Sequence, residues 1–159
     1  MKKIFATLLV MFTIVSVSFA QPRAIGGRLG YNLEFSYQHT LSNNMMTDLT
    51  IGATNVWNGW AYIDATAMFD WVFNISDGWN WYVGPGVGVG VGVGRWWREN
   101  NYMPFRLNVG GQIGIEYQFG APVNLSLDWR PMLNVLGVNH GYGWYNGLLS
   151  LALGVRYRF

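Results

Sequence analysis

Apolar and polar residues alternate along most of the chain beyond its first twenty residues, with almost no helical periodicity between the alternating blocks. A period of two is typical of β-strands whose two faces meet different surroundings, so the chain is predicted to be all-β. Segments rich in Asn, Asp, Gly and Pro separate the blocks and indicate turns. We predict eight strands, at residues 24–30, 33–41, 47–57, 60–73, 79–94, 104–119, 123–133 and 146–159.

The strand count depends on how the first block is divided. Seven blocks alternate clearly, whereas bacterial single-chain membrane barrels contain an even number of strands. The first block, residues 24–41, is longer than the roughly 9 to 11 residues with which a strand crosses a bilayer. It contains Gly30, Tyr31 and Asn32, which we interpret as a tight outer turn between two short strands.

The two faces of the predicted strands differ in composition. Eleven strand charges are all even-numbered, and the odd-numbered face holds most of the aromatic and branched residues. Periodicity alone would also fit a soluble sandwich or a lipocalin-like barrel. However, the even face is rich in glycine, lacks lysine and sets five arginines against six acids, which suits a crowded interior. We predict an eight-stranded antiparallel transmembrane β-barrel, an up-and-down meander with its odd face in lipid.

Ten charged residues of the even face are expected to form a structural network in the lumen, because an eight-stranded barrel is just wide enough to be filled by side chains. They are Arg28, Glu34, Asp64, Asp70, Arg106, Glu116, Asp128, Arg130, Arg156 and Arg158. Asp64 and Asp70 could instead be acid/base groups, but six residues along one strand separate them by about 20 Å. We expect them to pair with arginines.

Glycine occupies every even position from Gly84 to Gly94, and valine every odd position from Val87 to Val93. If the valines face lipid, the glycines line the lumen, leave volume for bulky neighbours such as Trp60, Tyr62 or the arginines, and permit curvature. The alternative is that the glycines line a cavity for water or a small ligand.

The first twenty residues have the pattern of an export signal. Lys2 and Lys3 precede an apolar run from Ile4 to Val17, and the small residues Ser18 and Ala20 follow. A membrane-spanning helix would need about twenty apolar residues, which is longer than this run. We predict a cleavable signal peptide at residues 1–20 and a barrel domain at residues 21–159, exported to the bacterial outer membrane.

Charge and composition exclude several functions. Lys2 and Lys3 are the only lysines, so residues 21–159 carry eight arginines against eight acids. This balance gives no support for nucleic-acid binding, which requires a basic patch. The chain has no cysteine and two histidines, so we expect no metal site and no cofactor.

Candidate chemistry in the predicted loops is sparse. His140 could serve acyl transfer of the kind known for a lipid A palmitoyltransferase, but no acid or serine adjoins it. His39 would lie near the inner rim of the barrel. Trp96, Trp97 and Trp144 could mark a loop that binds a glycan or a partner, or they could belong to an interfacial aromatic belt. We expect no enzymatic activity.

The chain ends in LALGVRYRF, whose odd-numbered residues would all lie on the outer face. Gly154, Tyr157 and Phe159 resemble the C-terminal signal by which the β-barrel assembly machinery recognises its substrates. The polar residue that usually stands two positions before the glycine is replaced by Ala152. The resemblance implies that this machinery inserts the protein.

Further segments resemble the small outer-membrane β-barrel proteins of the opacity and porin-like type. These segments are FSYQH (35–39), WNWYVGPGVG (79–88), GQIGIEYQF (111–119), LSLDWRP (125–131) and VRYRF (155–159). The resemblance implies a barrel in the cell envelope and supplies no catalytic residues. We expect contacts with outer-membrane lipid and lipopolysaccharide, and a monomer.

Two classes of function remain open. The first is a structural or surface-interaction protein with a lumen filled by side chains. The second is a barrel that binds or transports a small solute or a lipid-like ligand in a glycine-lined cavity. The many potential ion pairs in the interior and the short loops favour the first.

Overall fold

The computed structural model describes residues 23–54, 61–93, 105–137, 143–144 and 150–159, and its regular structure there consists of β-strands. The strands are β1 (Arg23–Gly30), β2 (Leu33–Ser42), β3 (Met45–Thr54), β4 (Ala61–Ser76), β5 (Trp79–Val93), β6 (Phe105–Gln118), β7 (Val123–Trp129), β8 (Met132–Gly137), β9 (Gly143–Trp144) and β10 (Leu151–Arg158). None of the described segments forms a helix long and apolar enough to cross a membrane.

Antiparallel pairing joins these strands into a closed sheet. β1 pairs with β2 on one side and with β10 on the other, and β5 pairs with β6. β7 and β8 both pair with β6 and together occupy one strand position, while β10 pairs with β7 and β9 with β8. The fold is therefore a closed eight-stranded antiparallel β-barrel, and the predicted fold class is confirmed.

The two ends of the barrel differ. Arg23 and Phe159 exchange backbone hydrogen bonds of 3.3 and 2.9 Å, and the tight turns at 43–44 and 77–78 lie at the same end, which we call the terminal end. The opposite end, which we call the loop end, carries the predicted turn at 31–32. The other predicted connections at the loop end, including Asn58-Gly59, lie wholly or largely outside the described residues.

The alternation of side chains matches the predicted parity. Even-numbered charged residues such as Arg28, Asp128 and Arg156 are buried, whereas outward residues such as Val87 and Leu151 are 51% and 52% exposed. The interior is therefore polar, and the outer surface is apolar. This inverts the usual arrangement of a water-soluble domain.

The predicted strand at 123–133 is interrupted, which is a correction to its boundaries. The strand pattern stops at Trp129, resumes at Met132 and continues to Gly137. Proline has no N–H group with which to extend a β-ladder, so Pro131 accounts for the break. Its carbonyl still accepts a 3.2 Å hydrogen bond from the Gly111 N–H, which keeps the broken strand attached to β6.

Candidate functional site in the barrel lumen

One side of the lumen holds most of the buried charge. We call the inward-facing side chains of β1, β2, β3, β7 and β10, together with Arg130, the charged wall. Arg28 forms ion pairs with Glu34 on the neighbouring strand and with Asp128 on β7. β10 lies between Arg28 and Asp128 and presents Ala152 and Gly154 there. These small residues leave room for the arginine to reach the carboxylate.

Asp48 is the centre of the charged wall, although the predicted network omitted it. Its carboxylate accepts hydrogen bonds from Arg130 and Arg156, both at 3.1 Å, and from the Ser36 hydroxyl at 2.7 Å. Arg130 also lies 3.5 Å from a Glu34 oxygen. The even number of Asp48 and its place in an alternating strand were the sequence features that could have identified it.

The N–H groups of Arg130 and Arg156 that do not bind Asp48 donate to neutral side chains. Arg156 donates to the Ser36 and Ser126 hydroxyls, both at 2.7 Å. Arg130 donates to the Gln112 side-chain oxygen at 2.6 Å and to the Thr50 hydroxyl at 3.1 Å. A buried charge requires such partners, and here each of the two guanidinium groups has them.

A separate ion pair lies nearer the loop end. Arg106 donates to both carboxylate oxygens of Asp64, at 2.9 and 2.5 Å, and its guanidinium lies 3.6 Å from the centre of the Tyr62 ring. Thr54 donates a further 2.7 Å hydrogen bond to Asp64. Gly90 is the cross-strand neighbour of both charged residues, so its missing side chain allows them to meet directly.

The other side of the lumen, which we call the glycine wall, consists of the inward-facing residues of β4, β5 and β6. A Cβ atom added to Gly86 would overlap the Met68 sulfur, and one added to Gly90 would overlap Asp64. At Gly88 it would lie 3.4 Å from the Met132 methyl group. Neighbouring side chains therefore take the volume beside these glycines.

The prediction for the neighbours of the glycines is met in part. Tyr62 is the cross-strand partner of Gly92, and Arg106 lies beside Gly90, as their predicted roles require. Trp60 lies outside the described residues. Met68 and Met132, which were not among the predicted neighbours, are fully or almost fully buried and supply the bulk at mid-height.

Asp70 differs from every other predicted network residue. It is completely buried on the glycine wall, and neither carboxylate oxygen has a hydrogen-bond partner within the described part of the chain. The expected arginine partner is therefore absent among those residues. The Gln112 side-chain nitrogen also lacks a partner there, and Gly84 lies between the two residues in the sheet.

Glu116 and Arg158 lie at the terminal end. Three carboxamide groups donate to Glu116: Asn80 at 3.4 Å, Gln118 at 2.9 Å and Asn124 at 3.2 Å. Arg158 donates to the Gln118 side-chain oxygen at 2.8 Å and to backbone carbonyl groups of the adjacent turn. No ion pair to Glu116 or Arg158 occurs among the described residues.

A cavity of about 300 Å³ adjoins this cluster, and we call it the terminal cavity. Each of the eight strand positions contributes at least one lining residue, so the cavity lies across the barrel axis. Asn43, from the turn between β2 and β3, is also part of the lining. The terminal cavity therefore reaches the terminal end of the barrel. Sequence periodicity contained no indication of it.

The C-terminal residues of the predicted assembly signal lie on both faces. Tyr157 and Phe159 are exposed on the outer surface, whereas Gly154 faces inward against Ser126 and Arg156. Aromatic rings also cluster outside the barrel near the terminal end. Their centroids are 4.5 Å apart in the Phe73–Trp81 pair, and 4.8 Å apart in both the Trp79–Tyr117 and Tyr117–Phe119 pairs.

Other candidate groups are not brought together by the described structure. His39 lies in β2, where its ring stacks at 6.3 Å on that of Tyr37. Trp96, Trp97 and His140 lie outside the described residues, as does the Trp144 side chain. Within the described ranges, no three His, Cys, Asp or Glu residues are grouped so that they could hold a metal ion.

Neither protein-family models nor curated protein sequences give a match to this chain.

Proposed function

We propose that this protein is a non-enzymatic integral outer-membrane β-barrel protein, with a structural or surface-interaction role and a lumen closed by side chains. The observation that supports the proposal is the outer surface. Branched and aromatic side chains such as Leu29, Ile51, Val87, Leu127 and Leu153 are about half exposed around the barrel. A continuous apolar band of this kind is expected where a barrel faces lipid.

Two further features fit a membrane position. The aromatic rings near the terminal end form part of a girdle, which is typical of the interface between lipid and water. The predicted export signal at residues 1–20 and the predicted assembly signal at Gly154, Tyr157 and Phe159 support secretion and insertion by the β-barrel assembly machinery. The proposed surroundings are outer-membrane lipid and lipopolysaccharide, and the proposed state is a monomer.

The closed lumen is the basis for the structural role. Side chains at mid-height fill the space beside the glycines, and the charged wall holds its arginines in several hydrogen bonds each. The alternative of a transport barrel relied on a glycine-lined cavity. Because Met68, Asp64 and Arg106 occupy that volume, the described residues do not support the alternative.

Arginine substitutions on the outer face test the membrane proposal. Val87 lies in the middle of β5, whereas Ile75 lies next to the terminal-end turn. In lipid vesicles, Val87→Arg should lower the free energy of unfolding by about 2–4 kcal/mol, and Ile75→Arg by about 0–1 kcal/mol. Urea titration followed by tryptophan fluorescence measures both. Equal, negligible losses would contradict lipid exposure.

Conductance tests the closed lumen separately. Wild-type protein in planar bilayers should give negligible current. A change in gel migration on heating checks beforehand that the protein is a folded barrel. Steady single-channel currents would favour the transport alternative.

A further inference from the structure

The terminal cavity has the size of a small ligand site. Its volume of about 300 Å³ lies at the lower end of the range of small-molecule pockets. Ala24, Met46 and Val72 line part of it, and the polar cluster around Glu116 lines another part. The site is separate from the glycine wall positions that the transport alternative requires.

Opposite charges are held apart in this cavity. Glu116 and Arg158 both line it, and the Gln118 carboxamide lies between them. Its nitrogen donates to Glu116 at 2.9 Å, and its oxygen accepts from Arg158 at 2.8 Å. The negative and positive groups are therefore separated by one carboxamide and two hydrogen bonds. Arg23, another lining residue, adds a second guanidinium at the strand ends.

The lining contains buried polar atoms that have no hydrogen-bond partner among the described residues. Among them are the Gln38 side-chain nitrogen, which is a donor, and the Asn124 side-chain oxygen, which is an acceptor. These residues are only 5% and 2% exposed. Buried polar groups in folded proteins are almost always satisfied, so both atoms point to a polar molecule in the cavity.

We propose that the terminal cavity binds a small dissolved zwitterion, with its ammonium group at Glu116 and its anionic group at Arg158. The Glu116 carboxylate would repel a simple anion, and the guanidinium groups would repel a simple cation. A zwitterion is complementary to both charges. Met46 and Val72 provide an apolar surface for a short side chain. This inference does not depend on the position of the barrel in a membrane.

The first test uses L-alanine as the probe and whole protein refolded in a non-ionic detergent. Calorimetric titration should show saturable binding of alanine. Alanine methyl ester retains only the cation and N-acetylalanine only the anion, so each should bind at least about tenfold more weakly. Binding of either analogue as tight as that of alanine, or no saturation up to about 10 mM, would overturn the proposal.

Variants then locate the site. Glu116→Gln and Arg158→Gln should each weaken alanine binding at least about tenfold, and Ala24→Leu should abolish it by filling the cavity without removing a charge. The matched control is the double variant Asp64→Asn/Arg106→Gln, which neutralises the ion pair at the loop end and should leave the affinity unchanged. Unchanged affinity in folded Ala24→Leu would place alanine elsewhere and overturn the assignment.

A zwitterionic lipid headgroup carries the same charges as the dissolved probe. Most lining residues of the terminal cavity have even numbers and face inward, and the cavity reaches the barrel end, which favours a dissolved ligand. Vesicles of phosphatidylethanolamine should therefore fail to displace alanine, while free phosphoethanolamine should compete. Displacement by the vesicles would overturn the assignment to a dissolved ligand.

Discussion

The charged wall carries three arginines that extend into the lumen, whereas β5 of the glycine wall carries no side chain at the even positions from Gly84 to Gly92. Arg28, Arg130 and Arg156 extend from the first wall and bind carboxylates or hydroxyls. On the second wall, the Met68 side chain covers the space next to Gly86. The space beside the glycines is thus filled from the neighbouring strands of the same wall, by Met68 at Gly86 and by Asp64 and Arg106 at Gly90.

The comparison also separates two means of stabilisation. On the charged wall, stability depends on hydrogen bonds that offset the cost of burying charge. On the glycine wall, stability depends on close packing, so that even one added methyl group changes the free energy of unfolding. Substitutions on the two walls should therefore differ in how much they lower the free energy of unfolding. They should also differ in the type of second substitution that can compensate for them.

The largest expected effect is the loss of the Asp48 carboxylate. Asp48 and Asp70 are both completely buried, but three side chains donate to Asp48 and none of the described residues donates to Asp70. Asp48→Asn should lower the free energy of unfolding by about 3–5 kcal/mol, because it leaves two arginines short of negative charge. Urea titration in lipid vesicles measures this change.

Asp70→Asn is the matched control. It removes a buried charge without a partner, so the free energy of unfolding should stay the same or rise. A loss as large as that of Asp48→Asn would show that Asp70 has a partner outside the described residues. The contrast between the two walls would then not hold for carboxylates.

A smaller effect is expected from packing on the glycine wall. A Cβ atom at Gly86 would overlap the Met68 sulfur and lie 2.8 Å from the Ala67 carbonyl oxygen. Gly86→Ala should therefore cost about 1–3 kcal/mol through overpacking. At Gly88 the nearest atom, the Thr66 hydroxyl, lies 3.1 Å away, so Gly88→Ala should cost less than about 1 kcal/mol.

A double-mutant cycle identifies the neighbour responsible. In the Met68→Ala background, Gly86→Ala should cost less than in wild type, because the overlapping sulfur is gone. An unchanged cost would mean that the Ala67 backbone, not Met68, limits the space. The same unfolding titration serves for both backgrounds.

Periodicity and the composition of the two strand faces together were sufficient to predict the barrel and the direction of its faces. All eleven charged residues of the predicted strands have even numbers, so a single assignment of parity placed Arg28, Glu34 and Asp128 inside together. The turn at 31–32 followed from the excessive length of the first block. These features depend on local pattern, which a sequence displays directly.

The partners of individual charges could not be predicted in this way. Arg130 reaches Asp48 across the lumen, and that contact depends on the shear and closure of the sheet rather than on local pattern. The shear and closure of the sheet also determine which side chains surround Asp70 and where the terminal cavity lies, so the local pattern indicated neither. Pro131 interrupts a strand without changing the parity of the residues on either side, so alternation alone concealed the break.

A small effect is also expected from a hydrogen bond between the two walls. Tyr82 is completely buried on the glycine wall, and its hydroxyl donates to Asp128 at 3.2 Å. Asp128 keeps its ion pair with Arg28 when that hydroxyl is removed. Tyr82→Phe should therefore lower the free energy of unfolding by only about 0.5–1.5 kcal/mol. Tyr157→Phe on the outer surface is the control and should stay within about 0.5 kcal/mol of wild type. A loss at Tyr82 as large as that at Asp48 would mean that this one hydroxyl couples the walls, and the packing of the glycine wall could no longer be treated separately from the charged network.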